Sequence, residues 1–143
     1  MNVPKKLRKK VRNIMKIMIS QPMNGKTNEE IRNNRRRILE KLKEMHIEVI
    51  ETIFDYDEET KEINNAPVYY LAKSIEKMSN ADAILFMNGW ETARGCLIEH
   101  EIAIKYGIKD LYEDFVQKNE NETIKSRLFF HPEGVTLQNN IGS

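Results

Sequence analysis

Cysteine is nearly absent from this chain. Cys96 is the single cysteine among 143 residues, which excludes an internal disulfide framework and is typical of proteins from a reducing compartment. The three histidines, His46, His100 and His131, are scattered, and none is spaced with Cys96 as zinc ligands are. We therefore expect no metal site and no cofactor.

Long hydrophobic runs and a strong net charge are also missing. No apolar segment approaches the roughly 20 residues that a membrane-spanning helix needs. The basic N-terminus is not followed by the apolar region of a secretory signal. The formal net charge is +1, so no overall field attracts the chain to nucleic acid or to a membrane surface. The sequence therefore predicts a globular cytoplasmic protein with no membrane partner.

Residues 1–14 form a basic N-terminal extension. They include Lys5, Lys6, Arg8, Lys9, Lys10 and Arg12. Such a cluster can bind nucleic acid or acidic lipid, but no aromatic residue is interleaved with these side chains, so we interpret it as a solvated tail. An interaction module that binds nucleic acid through this extension is kept as a third functional hypothesis, although nucleic acid is not the expected partner.

Strand and helix patterns alternate through the rest of the chain. Strands are predicted at 15–20, 47–53, 82–87 and near 108–112, and helices at 28–45, 67–79 and 92–106. This alternation predicts an α/β fold with an open, doubly wound, mostly parallel sheet of the flavodoxin-like type. We assign residues 15–115 to this domain. Residues 116–143 are predicted to be a tail that docks on the domain or on a partner subunit.

The first predicted helix has a clear start and two distinct faces. Thr27 and Glu30 have the spacing of a capping box. The apolar residues that recur at helical spacing are Ile31, Ile38, Leu39, Leu42 and Met45. The other face is predicted to be solvated and carries Arg32, Arg35, Arg36, Lys41 and Lys43 together with Glu40 and Glu44.

The predicted helix at 92–106 carries the main functional signal. Thr92 is the expected N-cap and Gly107 the expected left-handed residue after the helix. Gly95, Glu99 and Ala103 are four residues apart and share a stripe. Because helical side chains lean toward the N-terminus, Glu99 should lie over the bare surface left by Gly95. This spacing predicts a carboxylate in a notch, and the alternative is an ordinary small-residue packing face.

Ligands of open parallel sheets bind at the carboxyl ends of the strands. Two loops are predicted there, Ser20–Gly25 and Asn88–Arg94, and Glu99 follows the second loop. The candidate substrate-binding residues are Ser20, Gln21, Pro22, Met23, Asn24, Gly25, Ser74, Asn88, Gly89, Trp90, Arg94 and Gly95. Arg94 has the planar fork that suits phosphate. Trp90 either stacks on a base or sugar ring or is a hydrophobic plug at the end of the sheet.

Two segments carry a family resemblance, MKIMISQPMNG and SIEKMSNADAILFMNGWETARGCLIEHEIAIKYGI. They resemble a family of uncharacterised bacterial and phage proteins, DUF4406-like, that is related to nucleoside 2-deoxyribosyltransferases and 2′-deoxynucleoside 5′-monophosphate N-glycosidases. The resemblance implies that Glu99 is the nucleophile that attacks the anomeric carbon of deoxyribose. It also implies that Ser20–Gly25 holds sugar and phosphate, and that the protein is a homo-oligomer in which a neighbouring subunit completes each site.

The chain departs from those enzymes at three positions. Met18 stands where relatives carry a tyrosine, Ser74 where the hydrolase branch has an aspartate, and Ala93 where that branch has a phosphate-binding serine. A serine cannot act as the carboxylic acid that protonates a departing base. His100 lies about 100° round the helix from Glu99, so we do not expect it to supply this proton.

Three functional hypotheses follow from the sequence. The first is cleavage or transfer of the N-glycosidic bond of a (deoxy)nucleoside or nucleoside 5′-monophosphate, with Glu99 as the nucleophile. The second is a protein that binds or sequesters a small-molecule nucleotide without turnover. The third is the nucleic-acid module of the basic extension. Cys96 has no evident base beside it and is interpreted as a small buried thiol.

Overall fold

The computed structural model of the protein describes residues 14–52 and 61–118. The strands are β1 (Lys16–Ser20), β2 (Glu48–Ile50), β3 (Ala83–Phe86) and β4 (Lys109–Tyr112). The helices are α1 (Asn28–Glu44), α2 (Ala66–Met78), α3 (Arg94–Lys105) and α4 (Glu113–Lys118), and a 3₁₀ turn, Trp90–Thr92, precedes α3. The predicted alternation of strands and helices is confirmed.

The four strands form a parallel sheet in the order β2-β1-β3-β4. All four residues of β3 are buried because helices cover both faces of the sheet, as parallel sheets require. On one face, Ile17, Ile19 and Leu85 pack with side chains of α1 and α4. On the other face, Met18 and Phe86 pack with side chains of α2 and α3. The doubly wound α/β prediction is confirmed.

Helix α1 begins with the predicted capping box. The backbone N–H of Glu30 donates to Thr27 Oγ1, and the backbone N–H of Thr27 donates to Glu30 Oε2, both at 3.1 Å. The prediction that Arg35 is solvated was wrong, because its side chain is 2% exposed. Arg35 lies four residues after Ile31 and three before Ile38, which places it on the buried stripe. Its guanidinium lies 3.9 Å from a carboxylate oxygen of Glu51.

The start of α3 differs from the prediction by two residues. Ala93 is the N-cap and makes no side-chain cap hydrogen bond, whereas Thr92 closes the preceding 3₁₀ turn by donating its hydroxyl to the carbonyl of Gly89 at 3.0 Å. Gly89 enters this turn at φ +93°, a left-handed conformation that favours glycine. The predicted left-handed Gly107 follows α3 at φ +73°.

The remaining elements differ from the predicted pattern in length or in position. Strand β2 is shorter than predicted and ends at Ile50, and beyond it the side chain of Thr52 donates to the carbonyl of Ile19 at 3.2 Å. Helix α4 had no sequence signal and runs across position 115, the predicted domain boundary, with Val116 fully buried in the core. Residues 1–13, 53–60 and 119–143 lie outside the described residues, and so does most of the predicted N-terminal extension and tail. Within 14–52 and 61–118, no helix is both long and apolar enough to span a bilayer.

Candidate functional site

A cavity of about 370 Å³ opens at the carboxyl ends of β1 and β3, where the sheet order reverses. Glu99 lies on its wall together with side chains from three segments. These residues are Gln21, Met23, Asn24, Asn28 and Ile31 from the first loop and α1, Pro67, Tyr70, Leu71 and Ser74 from α2, and Thr92, Ala93, Arg94, Gly95 and Cys96 around the start of α3, with Ile19 and Thr52 at the base. The volume is large enough for a nucleoside.

The carboxylate of Glu99 is held by the last residue of β1. Ser20 donates its hydroxyl to Glu99 Oε1 at 2.7 Å, and the side chains are 1% and 7% exposed respectively. The two residues are 79 positions apart, so the tertiary fold brings them together. This hydrogen bond leaves Glu99 on the cavity wall with a defined orientation.

Gly95 leaves open space one helical turn before Glu99. The nearest atom to a Cβ built at Gly95 would be Leu71 Cδ1 at 3.9 Å, which is an ordinary van der Waals contact. Ala103, one turn after Glu99, is fully buried against the sheet. The stripe therefore does two things, because Ala103 packs into the core while Gly95 and Glu99 border the cavity.

Burial changes the proton affinity of Glu99. Desolvation raises its pKa from 4.5 to about 6, and the hydrogen bond from Ser20 opposes this rise because it favours the charged form. At pH 7 the carboxylate is therefore mostly ionised, as a nucleophile must be. A carboxyl group with a perturbed pKa beside a cavity is a common property of catalytic sites.

The thiol of Cys96 lies on the same wall, in surroundings that disfavour its thiolate form. Burial raises its pKa to about 11, and the charge of Glu99 adds to this rise, while a hydrogen bond with Ser20 opposes it. A thiol with this pKa carries very little thiolate at pH 7, and thiolate is the nucleophilic form. The interpretation of Cys96 as a buried structural thiol therefore agrees with its surroundings.

The start of α3 gives the cavity a positive end. Ala93 makes no side-chain cap hydrogen bond at the N-terminus of this 12-residue helix. Residues 93–96 border the cavity, and the exposed Arg94 adds a guanidinium. Backbone amides at a helix N-terminus together with a guanidinium favour an anionic ligand group.

Comparison with known proteins identifies the family. Residues 15–112 match the family model for the domain of unknown function DUF4406. The chain belongs to the DUF4406 family. No curated protein and no solved structure matches the chain. The match covers β1 to β4 of this DUF4406 domain, so it includes both loops and the helix that build the cavity.

The DUF4406 domain brings together part of the predicted binding set. Gln21, Met23, Asn24, Ser74, Arg94 and Gly95 border the cavity of Glu99, and Ser20 contacts Glu99 from below. Pro22 and Asn88 border a second cavity, which Gln21 also lines. Gly25 and Gly89 line neither cavity and serve as turn residues with φ of +78° and +93°.

Trp90 lies outside the cavity wall. Its ring stacks on that of His100, with centroids 4.2 Å apart, and also packs near Phe86 and Tyr112. Tyr112 holds His100 by a 2.8 Å contact between its hydroxyl and Nε2, and donates the hydroxyl proton to Asp110. The structure therefore favours the hydrophobic-plug interpretation of Trp90, and it places His100 in the same aromatic cluster rather than on the cavity wall.

Most of the α2 wall was not predicted from the sequence. Tyr70 and Leu71 line the cavity together with the predicted Ser74. Their separations from Ser74 are four and three residues, so helical spacing would have placed all three on one face once Ser74 was chosen.

Among residues 14–52 and 61–118, no three His, Cys, Asp or Glu side chains cluster in a way that could hold a metal ion.

Proposed function

We propose that this DUF4406 protein cleaves or transfers the N-glycosidic bond of a deoxynucleoside or deoxynucleoside 5′-monophosphate, with Glu99 as the nucleophile. The observation that carries the proposal is a buried carboxylate, oriented by Ser20, on the wall of a nucleoside-sized cavity. The resemblance of the GWETARGCLIEHEIA segment to nucleoside 2-deoxyribosyltransferases and related N-glycosidases supports the same role for Glu99.

The reaction begins with attack on the sugar. A carboxylate oxygen of Glu99 forms a bond with C1′ while the C1′–N bond breaks, and the electron pair leaves with the base. Desolvation makes the carboxylate a stronger base than an exposed glutamate, and the Ser20 hydroxyl keeps one oxygen occupied and fixes the plane of the group. Water or a second base then attacks C1′ of the glycosyl ester and releases Glu99.

A 5′-phosphate would lie against the start of α3. Arg94 and the uncapped backbone amides at this end of the helix favour a dianion, and Gly95 leaves space beside them. Ala93 stands where the hydrolase branch has a phosphate-binding serine, so in this protein the guanidinium of Arg94 would make a larger share of the phosphate contacts. Arg94→Gln is expected to raise KM for a deoxynucleoside monophosphate and to leave KM for the deoxynucleoside nearly unchanged.

The departing base also needs a proton. Within the described residues, Glu99 is the only carboxyl group that lines the cavity, and Ser74 occupies the place of the hydrolase aspartate. Tyr70 lines the cavity and solvent reaches it, so the phenol of Tyr70 and water are the candidate proton sources that we test. A Tyr70→Phe variant separates them, because base release that depends on the phenol falls while release that depends on water does not.

The direct test is base release. Purified protein is incubated with the common deoxynucleosides and their 5′-monophosphates, and free base is measured by chromatography. Glu99→Gln should abolish release, whereas Glu101→Gln, the matched control on the exposed face of α3, should not. An intact-mass increase equal to one deoxyribosyl group, absent in Glu99→Gln, would identify the glycosyl ester. Absence of base release from every substrate would refute the proposal.

A nucleotide-binding protein without turnover is the second candidate. It is favoured by one observation, which is the absence of a second carboxylic acid from the described part of the cavity wall. Such a protein would show a rise in melting temperature with a deoxynucleotide and no free base over long incubation. The nucleic-acid module of the basic extension falls mostly on residues 1–13, outside the described residues, and remains a prediction.

A further inference from the structure

A second cavity lies at the same edge of the sheet as the first. Its volume is about 400 Å³. It is bordered by the turn before α1, by α1 itself, by the two residues after β3 and by the first residue of α4. Gln21 is the residue that it shares with the cavity of Glu99. Glu99, Ser74 and Arg94 do not border it, so it is separate from the cavity in which the cleavage reaction is proposed.

The wall of this second cavity that is formed by α1 and the turn before it is rich in hydrogen-bond donors. Lys26 and Arg37 supply two cations, and Asn33 and Asn34 supply side-chain amides. Asn33 and Arg37 are four residues apart and therefore share a stripe of α1. Ammonium and guanidinium groups carry donors and no acceptors, and they form strong hydrogen bonds with phosphate or carboxylate oxygens.

The opposite wall has acceptor character. The carboxylate of Glu113 is 8% exposed and accepts from the backbone N–H of Asn88 at 2.7 Å, which fixes its position. The side-chain amide of Asn88 donates to Asp114 at 3.0 Å. A fully anionic ligand would be repelled at this wall, whereas a ligand with hydroxyl groups could donate to it.

Gln21 lies at the boundary between the two cavities. Its side chain is 7% exposed, and Nε2 donates to the carbonyl of Ile31 at 2.7 Å, which fixes the orientation of the amide. Its Oε1 accepts no hydrogen bond from the residues that the structure describes. This oxygen is buried from solvent, so it does not itself face the open space of the cavity.

We infer that the second cavity is a binding site for a small phosphorylated polyol, such as a sugar phosphate. Lys26 and Arg37 hold the phosphate, and the hydroxyl groups of the polyol donate to Glu113. The two cations exceed the one carboxylate, so a monoanion or dianion is favoured at the α1 wall. The site is distinct from the Glu99 cavity and does not depend on catalysis.

The test is calorimetric titration of the full-length protein with inorganic phosphate, ribose 5-phosphate and ribose. Because the proposed function also places a 5′-phosphate beside Arg94, the Arg94→Gln protein is titrated as well. In that variant ribose 5-phosphate should bind at one site and more tightly than phosphate, because only it carries both the anion and the donors. Ribose should show no binding at about 10 mM, since it lacks the anion that drives affinity. Arg37→Gln and Lys26→Gln should each weaken binding of ribose 5-phosphate about tenfold.

Matched variants distinguish this cavity from general charge effects and from the Glu99 cavity. Lys43→Gln removes the same charge from the last turn of α1, outside the cavity, and should leave the affinity unchanged. Arg94→Gln and Glu99→Gln should also leave it unchanged. Three results would overturn the inference: no binding by the wild-type protein, equal weakening in Lys43→Gln, or loss of binding in Arg94→Gln with retention in Arg37→Gln. The last result would assign the ligand to the Glu99 cavity.

Discussion

Replacing Glu99 by glutamine should make the protein more stable above pH 6. The folded protein binds a proton at Glu99 more tightly than the unfolded chain does, because burial raises the pKa from 4.5 to about 6. Protonated Glu99 therefore makes its full contribution to the free energy of unfolding below pH 4.5, and this contribution is lost as the pH rises through 6. Glutamine has nearly the same shape, accepts the Ser20 hydrogen bond through its carbonyl oxygen and never becomes charged.

The size of the effect follows from the pKa. Each pKa unit corresponds to about 1.4 kcal/mol, so ionisation of Glu99 should lower the free energy of unfolding by about 2 kcal/mol at pH 8. At pH 4 both states hold the proton and the effect is close to zero. The difference in stability between Glu99→Gln and the wild-type protein should therefore grow from near zero at pH 4 to about 2 kcal/mol at pH 8, in favour of the variant.

Urea denaturation of both proteins at pH 4, 6 and 8 measures this difference directly. All other titrating groups are common to the two proteins, so their contributions cancel. Glu101→Gln is the control. Its difference in stability from the wild type should change with pH in the opposite direction, because the ion pair with Lys105 lowers the pKa of Glu101 instead of raising it. A difference between Glu99→Gln and the wild type that is constant with pH would show that Glu99 is not desolvated and would remove the basis for its assigned chemistry.

Four further predictions test the site and the fold. Ser20→Ala should raise the pKa of Glu99 further, because the hydrogen bond that favours the carboxylate is lost. The acidic limb of the pH–rate profile for base release should therefore move to higher pH. An acidic limb at the wild-type pH would contradict this prediction. Gly95→Leu should fill the space beside Glu99 and reduce kcat/KM for base release at least about tenfold. Gly95→Ala should fold and retain most of the activity, because its Cβ would lie 3.9 Å from the nearest atom. Cys96 should react with iodoacetamide at pH 8 about 100 times more slowly in the native protein than in urea, because its pKa in the folded protein is about 11. Cys96→Ala should retain base release. Loss of base release in this variant would restore the thiol as a candidate nucleophile. Thr27→Ala should lower the free energy of unfolding by about 1 kcal/mol in urea denaturation, because it removes the capping box of α1, and no loss would show that the cap is not formed in solution.

Local patterns were sufficient where a single element decides the structure. The capping box at Thr27 and Glu30 depends on a spacing of three residues, and the left-handed Gly107 depends on one residue after a helix. The alternation of strands and helices predicted the parallel, doubly wound sheet because hydrophobic periodicity reports which face of each element is covered. The stripe of Gly95, Glu99 and Ala103 likewise follows from the helical repeat.

Local patterns failed where the outcome depends on a distant contact. Arg35 was assigned to solvent by its charge, although its neighbours on the helical stripe are buried. Trp90 could have faced a ligand or the sheet, and the packing of His100 and Tyr112 from later elements decided between them. Helix α4 has no clear periodic signal in six residues and is held by its contacts with α1.

By itself, the sequence determined the layered α/β architecture and the place of Glu99 on α3, because both follow from spacings of two to four residues. Only the tertiary structure decided that the hydroxyl of Ser20 meets the carboxylate of Glu99, that α2 closes one side of the cavity, and that Gln21 lies between two cavities. Those outcomes join residues as far as 79 positions apart. The pKa of Glu99 belongs to the second group, since it is set by how much water the assembled fold excludes.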